Sequence, residues 1–320
     1  MELKEKILRR LESVRGEYVS GEQLAGECGV SRNAVWKCIR SLEADGVKLS
    51  SVRNRGYALL AESDALTACG IEKFLHSPFS LQVVKLTGST NDEVKALAEA
   101  GAPAWTAVLA EEQSAGRGRY RRPFDSPAGA GLYLSVLLRP KFSAAETLFV
   151  TACAAVAVCE AIGEVAKKYA EIKWVNDVFL DGKKVCGILT EASFDVESGG
   201  LASVVVGVGV NVKYREFPKE LAGIAGTVFR EGEYPSEGRA KLAAAILEKL
   251  RFYCEHIPER TFYAEYKRRS FVIGRRVKVL SGSLEEEADV LDLDENCFLR
   301  VRLADGSERL LSAGEVRIML

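Results

Sequence analysis

The spacing of apolar residues changes twice along the chain, and this change most restricts the possible folds. Residues 2 to 44 carry apolar side chains at helical spacing, interrupted by a turn at Gly29. From about residue 66, strand-like runs alternate with helical segments, and from Phe271 onward only short alternating strands remain. The pattern predicts an α+β protein with three domains, at residues 1–63, 64–270 and 271–320.

The first domain is predicted to be a winged helix-turn-helix. Serine is a preferred residue at helix N-caps, and Ser20 and Ser31 each directly precede a helical pattern. Two short strands then flank a turn that carries Arg53 and Arg55. The polar face of the third helix and this wing indicate DNA binding, because phosphate contacts supply much of the affinity for DNA. The predicted DNA-binding residues are Ser31, Arg32, Asn33, Lys37, Arg40, Arg53 and Arg55.

A different interpretation of the first domain stays open. Residues 1–66 hold 11 Lys and Arg against 10 Asp and Glu, so the domain has little net positive charge. It could therefore bind another protein without touching DNA. Trp36 fits either the core or the surface of the third helix.

The middle region predicts a mixed, largely antiparallel sheet with helices packed against it, and the tail predicts a small β-barrel. Predicted strands cover residues 132–138, 172–180, 185–193 and 203–210, and predicted helices cover residues 145–169 and 241–254. Asp181-Gly182 is a two-residue hairpin signal. It would bring Lys184 close to Asn176 and Asp177 on the neighbouring strand.

The composition predicts a soluble, cytoplasmic protein. The chain is 48% apolar and 28% charged, with a formal charge of −1. Its eight cysteines form no C-x-x-C pair, which fits free thiols in a reducing compartment and disfavours a structural zinc site. The most apolar stretch, residues 148–159, is shorter than the roughly 20 residues that cross a bilayer. We expect a buried helix there and no membrane association.

The segment Gly116-Arg117-Gly118-Arg119-Tyr120-Arg121-Arg122 predicts an anion-binding loop. Glycine lets the backbone approach a ligand, and guanidinium groups match phosphate and carboxylate geometry. A P-loop and a G-x-S-x-G hydrolase motif are both absent from the sequence, and Gly207-Val208-Gly209 lacks the third glycine of a dinucleotide-binding motif. Such a set of residues suits phosphoryl and acyl-adenylate chemistry, in which charge neutralisation dominates.

Three segments together resemble the bifunctional biotin-protein ligases that are also biotin operon repressors. They are the arginine-glycine loop, Lys-Trp-Val-Asn-Asp at residues 173–177 followed by Lys184, and Gly-Ser-Thr-Asn at residues 88–91. The resemblance implies a class II synthetase-like core that uses ATP and Mg²⁺ to make biotinyl-5′-AMP from biotin. It also implies transfer of biotin to a lysine of a carboxylase carrier domain, and operator binding by a ligand-promoted homodimer with biotinyl-5′-AMP as corepressor.

The resemblance also implies roles for individual residues. Lys184 and Arg119 would be catalytic, and Asp177 would bind the metal ion. The residues matching the biotin pocket are Ser89, Thr90, Asn91, Gln113, Gly116, Arg117, Gly118, Arg119, Lys184, Gly187, Leu189 and Gly207. Those matching the nucleotide site are Arg119, Arg122, Phe124, Asn176, Asp177, Lys184 and Asn211. Residues 213–224 would close over the adenylate.

The chain departs from the family pattern at two loop positions. Arg121 stands where the family usually has glycine, and Phe124 where it usually has tryptophan. A smaller ring stacks less on adenine, so we expect weaker retention of the adenylate. Two other functions stay open: a lipoate-protein ligase with a similar core, and a non-enzymatic repressor that only senses biotin.

Overall fold

The chain divides into two compact units in a computed structural model. The first unit consists of Met1–His76 and Gly232–Ala244, and the second of Ser77–Glu231 and Ala245–Leu320. The described residues are 2–139, 146–194, 200–281, 284–312 and 314–318. The domain boundaries given above stay predictions.

The first unit contains a winged helix-turn-helix, as predicted. Its elements are α1 (Leu3–Ser13), α2 (Gly21–Cys28), α3 (Arg32–Ala44), β1 (Leu49–Val52), β2 (Gly56–Leu59) and α4 (Ala68–Glu72). The Ser20 hydroxyl accepts a hydrogen bond from the backbone N–H of Gln23, and the Ser31 hydroxyl accepts one from Ala34. Gly29 ends α2 in the left-handed conformation, with φ of 68°. The two caps and the glycine therefore fix the turn between α2 and α3.

A buried ionic cluster stabilises the first unit. The Glu12 carboxylate on α1 is buried and accepts hydrogen bonds from Arg15 at 2.8 Å and from Lys73 at 2.5 Å. Lys73 also pairs with Glu237. Burial alone raises the pKa of Glu12, but the hydrogen bonds from Arg15 and Lys73 outweigh it and leave the pKa below its usual value.

Substituting Glu12→Gln is expected to lower the free energy of unfolding by about 2 kcal/mol at pH 7, since Arg15 and Lys73 each lose one of their two anionic partners. The lowered pKa makes this stabilisation complete above the unfolded pKa of about 4.3, and protonation removes it as the pH falls through the folded pKa. Urea unfolding at pH 7 and at acid pH measures the difference. Glu5→Gln on the exposed face of the same helix is the control. An equal loss in both variants would contradict the role of the cluster.

The second unit is built on a seven-stranded mixed sheet. Its helices are α5 (Thr90–Glu99), α6 (Thr147–Ala166), α7 (Gly238–Glu255), whose first residues belong to the first unit, and α8 (Tyr263–Arg269). Its strands in the sheet are β3 (Ser80–Thr87), β4 (Thr106–Gln113), β5 (Gly131–Leu138), β6 (Glu171–Lys173), β7 (Asp177–Leu180), β8 (Lys183–Phe194) and β9 (Leu201–Asn211). The strand order is β3-β4-β5-β9-β8-β7-β6, in which only the β3–β4 pair is parallel.

The apolar helix α6 packs against this sheet. It is long and apolar enough to cross a bilayer by composition alone, but 72% of its most apolar stretch is buried inside the fold. The prediction of a buried helix is therefore confirmed. The fold class is also confirmed, with a helix-turn-helix head, a mixed sheet covered by helices, and a β-rich tail.

One predicted strand is wrong. Residues 172–180 form two antiparallel strands, β6 and β7, joined by a turn at residues 174–176. The Trp174 side chain is buried, and its indole N–H donates a 2.9 Å hydrogen bond to the Cys297 carbonyl. The buried Tyr266 hydroxyl donates to the Val175 carbonyl. Because these buried contacts hold the turn in place, β7 begins at Asp177.

The tail forms a five-stranded antiparallel sheet with the order β13-β12-β11-β10-β14. Its strands are β10 (Arg276–Ser281), β11 (Leu284–Leu293), β12 (Leu299–Leu303), β13 (Glu308–Leu311) and β14 (Glu315–Ile318). The predicted turn at Asp305-Gly306 is present, and Gly306 adopts a φ of 85°. Of the predicted turn at residues 281–283, residues 282 and 283 lie outside the described ranges.

Candidate functional site

A cavity of about 270 Å³ opens on the sheet of the second unit, and most of the predicted site residues line it. Its walls come from the start of α5, the arginine-glycine loop, the β7–β8 hairpin, strand β9 and the segment after β9. The predicted residues around it are Ser89, Thr90, Asn91, Gln113, Arg117, Gly118, Arg119, Arg122, Phe124, Asn176, Asp177, Lys184, Gly187, Leu189, Gly207 and Asn211. Gly116 is buried behind the loop instead. Their individual roles stay predictions.

The arginine-glycine loop folds back on itself as a narrow hairpin. The backbone N–H of Phe124 donates to the Gly116 carbonyl at 2.8 Å, and that of Gly118 donates to the Arg122 carbonyl at 2.8 Å. A side chain on Gly116 would lie 2.6 Å from the Phe124 carbonyl, so this close approach requires glycine. The Arg117 guanidinium turns to the Asp92 carboxylate at 2.7 Å, at the start of α5.

Arg121 occupies a left-handed position at the tip of this loop. Its φ is 57° and that of Tyr120 is 56°. Residues with a Cβ atom pay about 1 kcal/mol or more in this region, whereas glycine does not. The geometry therefore gives a physical reason why a glycine suits the position that Arg121 fills in this chain.

The polar end of the cavity lies at the N-terminus of α5. Gln113 Oε1 accepts hydrogen bonds from the backbone N–H of Thr90 at 2.9 Å and from its hydroxyl at 3.1 Å. Gln113 Nε2 donates to Ser126 Oγ at 3.0 Å. Ser89 is the N-cap residue of α5, but its hydroxyl makes no capping hydrogen bond. The Ser89 hydroxyl therefore lies in the cavity wall and is not used to cap α5.

The cationic end is organised by the β7–β8 hairpin. Asp181 and Gly182 form its turn with φ values of 51° and 73°. Lys184 Nζ lies 2.7 Å from Asp177 Oδ1, so the predicted closeness of these side chains is confirmed. Across the cavity, Arg119 Nη1 donates to Asn176 Oδ1 at 3.2 Å.

The floor between the two ends is made of glycines on β8 and β9. Gly187 and Gly209 face each other in the antiparallel register. The ring of Phe124 lies directly over them, since a Cβ atom on Gly209 would be 2.6 Å from the ring. A Cβ atom on Gly207 would overlap the Asn91 side chain. These glycines thus provide room for neighbouring side chains on a strand.

Three carboxylates that line the cavity each pair with a cation that also lines it. Besides the Lys184 pair, Arg215 Nη1 contacts Asp125 Oδ2 at 2.6 Å, and Arg122 Nη2 contacts Glu315 Oε2 at 2.7 Å. The hydrogen bond from Arg122 lowers the pKa of Glu315, and burial lowers the pKa of Lys173 nearby. The cations are therefore held in place by partners that a bound anion could replace.

No individual site role was predicted from the sequence for Asp125, Glu191, Arg215 or Glu315. Arg215 lies in the segment that the resemblance expects to close over the adenylate. Glu315 belongs to the C-terminal sheet, nearly two hundred residues from its partner Arg122. No short-range pattern could have linked these two residues, because their proximity depends on the fold.

The described ranges contain no group of three or more His, Cys, Asp or Glu residues arranged to hold a metal ion. Mg²⁺ bound with a nucleotide takes most of its ligands from phosphates and water and needs only one or two carboxylates. Asp177 lines the cavity and supplies one such carboxylate. The donor set thus fits a phosphate-held Mg²⁺ ion.

The candidate DNA interface is the exposed side of α3 and the wing of the first unit. Val35, Ile39 and Leu42 point into the core. The predicted contact residues Ser31, Arg32, Asn33, Lys37, Arg40, Arg53 and Arg55 are all exposed. Trp36 is 50% exposed, so it belongs to this surface and not to the core.

Comparison with known proteins gives consistent relationships across the chain. Residues 83–211 match the biotin/lipoate A/B protein ligase family, residues 4–58 an HTH domain, and residues 272–319 the biotin protein ligase C terminal domain. The bifunctional ligase/repressor BirA of Bacillus subtilis is 32% identical over 97% of both chains. The BirA protein of Escherichia coli is 30% identical over 84% of both chains.

Solved structures with a similar fold include the biotin protein ligase from Aquifex aeolicus in complex with biotin and ATP. It has a TM-score of 0.63 and 28% identity, and the match covers 75% of this chain and 98% of that one. The biotin protein ligase from Leishmania major in complex with biotinyl-5-AMP has a TM-score of 0.51 and 25% identity, covering 74% of this chain and all of that one.

Proposed function

Since the chain belongs to the family of bifunctional biotin-protein ligases and repressors, we propose that its cavity binds biotin and ATP side by side. The chain is a biotin-[acetyl-CoA-carboxylase] ligase and a biotin-responsive transcriptional repressor. The proposal that the reaction takes place in this cavity is supported by one observation: the polar end, the glycine floor and the cationic end all line the same cavity.

The first reaction joins biotin to AMP. A biotin carboxylate oxygen attacks the α-phosphorus of ATP, a new P–O bond forms, and pyrophosphate leaves with the electron pair of the broken bond. Negative charge concentrates where carboxylate and phosphate meet. Lys184 and Arg119 stabilise that charge, because fixed cations act strongly in a site shielded from water. Mg²⁺ would neutralise further phosphate charge next to Asp177.

The remaining residues bind and orient the substrates. Ser89, Thr90 and Gln113 offer hydrogen bonds to the cyclic urea of biotin, which has both donors and an acceptor. Phe124 covers the adenine, and Arg122 with Asn176 and Asn211 faces the nucleotide. On binding, phosphate takes the place of Glu315 beside Arg122. Arg122 thus keeps an anionic partner throughout, and the phosphate contact replaces a hydrogen-bonded ion pair that Arg122 already makes.

The second reaction transfers biotin to the carrier. The amine of a lysine on the biotin carboxyl carrier domain attacks the acyl carbon of biotinyl-5′-AMP, a C–N bond forms, and AMP leaves as the amine loses a proton. The adenylate-loaded chain dimerises and binds operator DNA through α3 and the wing, so the same molecule is intermediate and corepressor. The eight free cysteines suit a reducing cytoplasm.

The test is biotin-dependent exchange of labelled pyrophosphate into ATP, followed by transfer of biotin to a carrier domain. Exchange with biotin and none with lipoate is the expected result. Exchange that needs lipoate would make the chain a lipoate-protein ligase. Tight biotin binding without exchange would make it a biotin-sensing repressor without enzymatic activity.

A further inference from the structure

A chain of hydrogen bonds leads from the cavity wall to a surface ion pair. It ends at Glu191 on β8, whose Oε1 lies 2.6 Å from Lys95 Nζ on α5. The other oxygen, Oε2, accepts a 2.6 Å hydrogen bond from Asn91 Nδ2. Asn91 is only 4% exposed, so its amide has little access to solvent. Neither Glu191 nor Lys95 takes part in the reaction described above.

The Glu191 carboxylate is the nearer of two acceptors that orient the Asn91 amide, whose nitrogen also donates to the Leu189 carbonyl at 3.4 Å. An ionised carboxylate only accepts hydrogen bonds, so the amide nitrogen of Asn91 must face Glu191. The amide oxygen then faces Ser135 Oγ at 2.6 Å. Because this oxygen also only accepts, it takes the single hydroxyl proton of Ser135, a fully buried residue.

The next hydrogen bond in this series joins Ser135 to Thr90 at the cavity. Ser135 Oγ and Thr90 Oγ1 are 2.7 Å apart. With the Ser135 proton committed to Asn91, the Thr90 hydroxyl can give its proton only to Ser135 Oγ or to Gln113 Oε1, which lies 3.1 Å away. Both neighbours lie in the wall, so the proton of Thr90 points away from a ligand. The Thr90 oxygen is left as an acceptor.

We propose that Glu191 is a positioning residue, which sets the direction of these hydrogen bonds so that Thr90 meets the urea of biotin as an acceptor for an N–H group. The inference rests on the proposed function of the cavity. Without Glu191, only the longer 3.4 Å contact to the Leu189 carbonyl holds the Asn91 amide, which can then turn over and donate to Ser135. Ser135 would then donate to Thr90, which leaves Gln113 Oε1 at 3.1 Å as the remaining acceptor named above for the Thr90 proton. The Thr90 hydroxyl would be held less firmly and could point its proton at the ligand, opposing an N–H donor.

The chain offers a control for the ion pair. Lys95→Met removes the surface charge that contacts Glu191 but leaves the bond from Asn91 to the carboxylate. A Glu191→Gln variant has a single acceptor oxygen, for which Lys95 and Asn91 compete. Adding Lys95→Met to Glu191→Gln leaves that oxygen to Asn91 and should restore the wild-type orientation of the Asn91 amide.

The experiment measures the dissociation constants of biotin and of ATP separately by calorimetry on the full chain. For Glu191→Ala, we expect biotin binding to weaken about tenfold, the cost of a lost buried hydrogen bond, with ATP binding unchanged within about twofold. Lys95→Met should bind biotin like the wild type, and the double variant Glu191→Gln with Lys95→Met should bind it more tightly than Glu191→Ala.

Ser135→Ala removes one of the two wall acceptors of the Thr90 proton and should also weaken biotin binding without affecting ATP, which provides a second test if Glu191→Ala folds poorly. Biotin binding at the wild-type level in both variants would overturn the proposal. So would equal losses in Glu191→Ala and Lys95→Met, which would assign the effect to the ion pair. A wild-type chain that binds no biotin would instead overturn the proposed function.

Discussion

Lys184→Ala is expected to lower biotin-dependent exchange of pyrophosphate into ATP by about 10²–10³-fold, the usual effect of removing one group that stabilises transition-state charge. The Lys184 ammonium lies 2.7 Å from Asp177 at the cationic end of the cavity. Removing it takes away a positive charge and leaves the carboxylate to repel the phosphates. Binding of biotin in the absence of ATP should change much less than the exchange rate.

The neighbouring residue gives a matched control for this prediction. Lys183 precedes Lys184 on β8 and is exposed, whereas Lys184 is half-buried in the cavity wall. Lys183→Ala removes the same charge from the same strand and should keep nearly full exchange activity. If both variants lost activity equally, the effect would come from the hairpin and not from the charge of Lys184.

Replacing Arg32 and Arg40 together with alanine is expected to weaken operator binding more than tenfold at moderate salt. Both side chains are exposed on α3, on either side of Trp36 in the helical repeat. Each phosphate contact contributes about 0.9 to the slope of log K against log salt for duplex DNA. Losing both contacts should therefore reduce this slope by about 2, measured by titration at several salt concentrations.

Exchange of pyrophosphate should be unchanged in the same double variant, since the cavity lies wholly in the second unit. Lys6→Ala, on the exposed face of α1, removes one charge from the same unit and should keep most of the DNA affinity. Unaltered DNA binding by the Arg32 and Arg40 variant would return the first domain to a role in protein interaction.

Local signals in the sequence were sufficient for several elements. Ser20 and Ser31 cap their helices as predicted, because an N-cap interaction involves residues only three positions apart. The Asp181-Gly182 turn is also local, since its two positive φ values are needed by the turn itself. The hairpin then brings Lys184 to Asp177 through the pairing of adjacent strands.

Sequence-based predictions were wrong or incomplete at positions whose structure depends on long-range packing. The apolar run at residues 172–180 fitted one strand, but burial of Trp174 and its bond to Cys297 place a turn in the middle. Trp36 had no fixed environment in the sequence, and the packing of α3 places it at the surface. Periodicity reports which residues can be buried, but not which distant partner buries them.

The sequence by itself determined the order of the three parts, the caps and turns, and the residue types available for anion binding, because these depend on contacts within a few positions. Only the tertiary structure decided which of those residues share a cavity. It paired Arg122 with Glu315 and Asn91 with Glu191, over separations of 193 and 100 residues. The hydrogen-bond direction proposed for Thr90 depends on the second of these pairings, since each buried polar group must satisfy its neighbour.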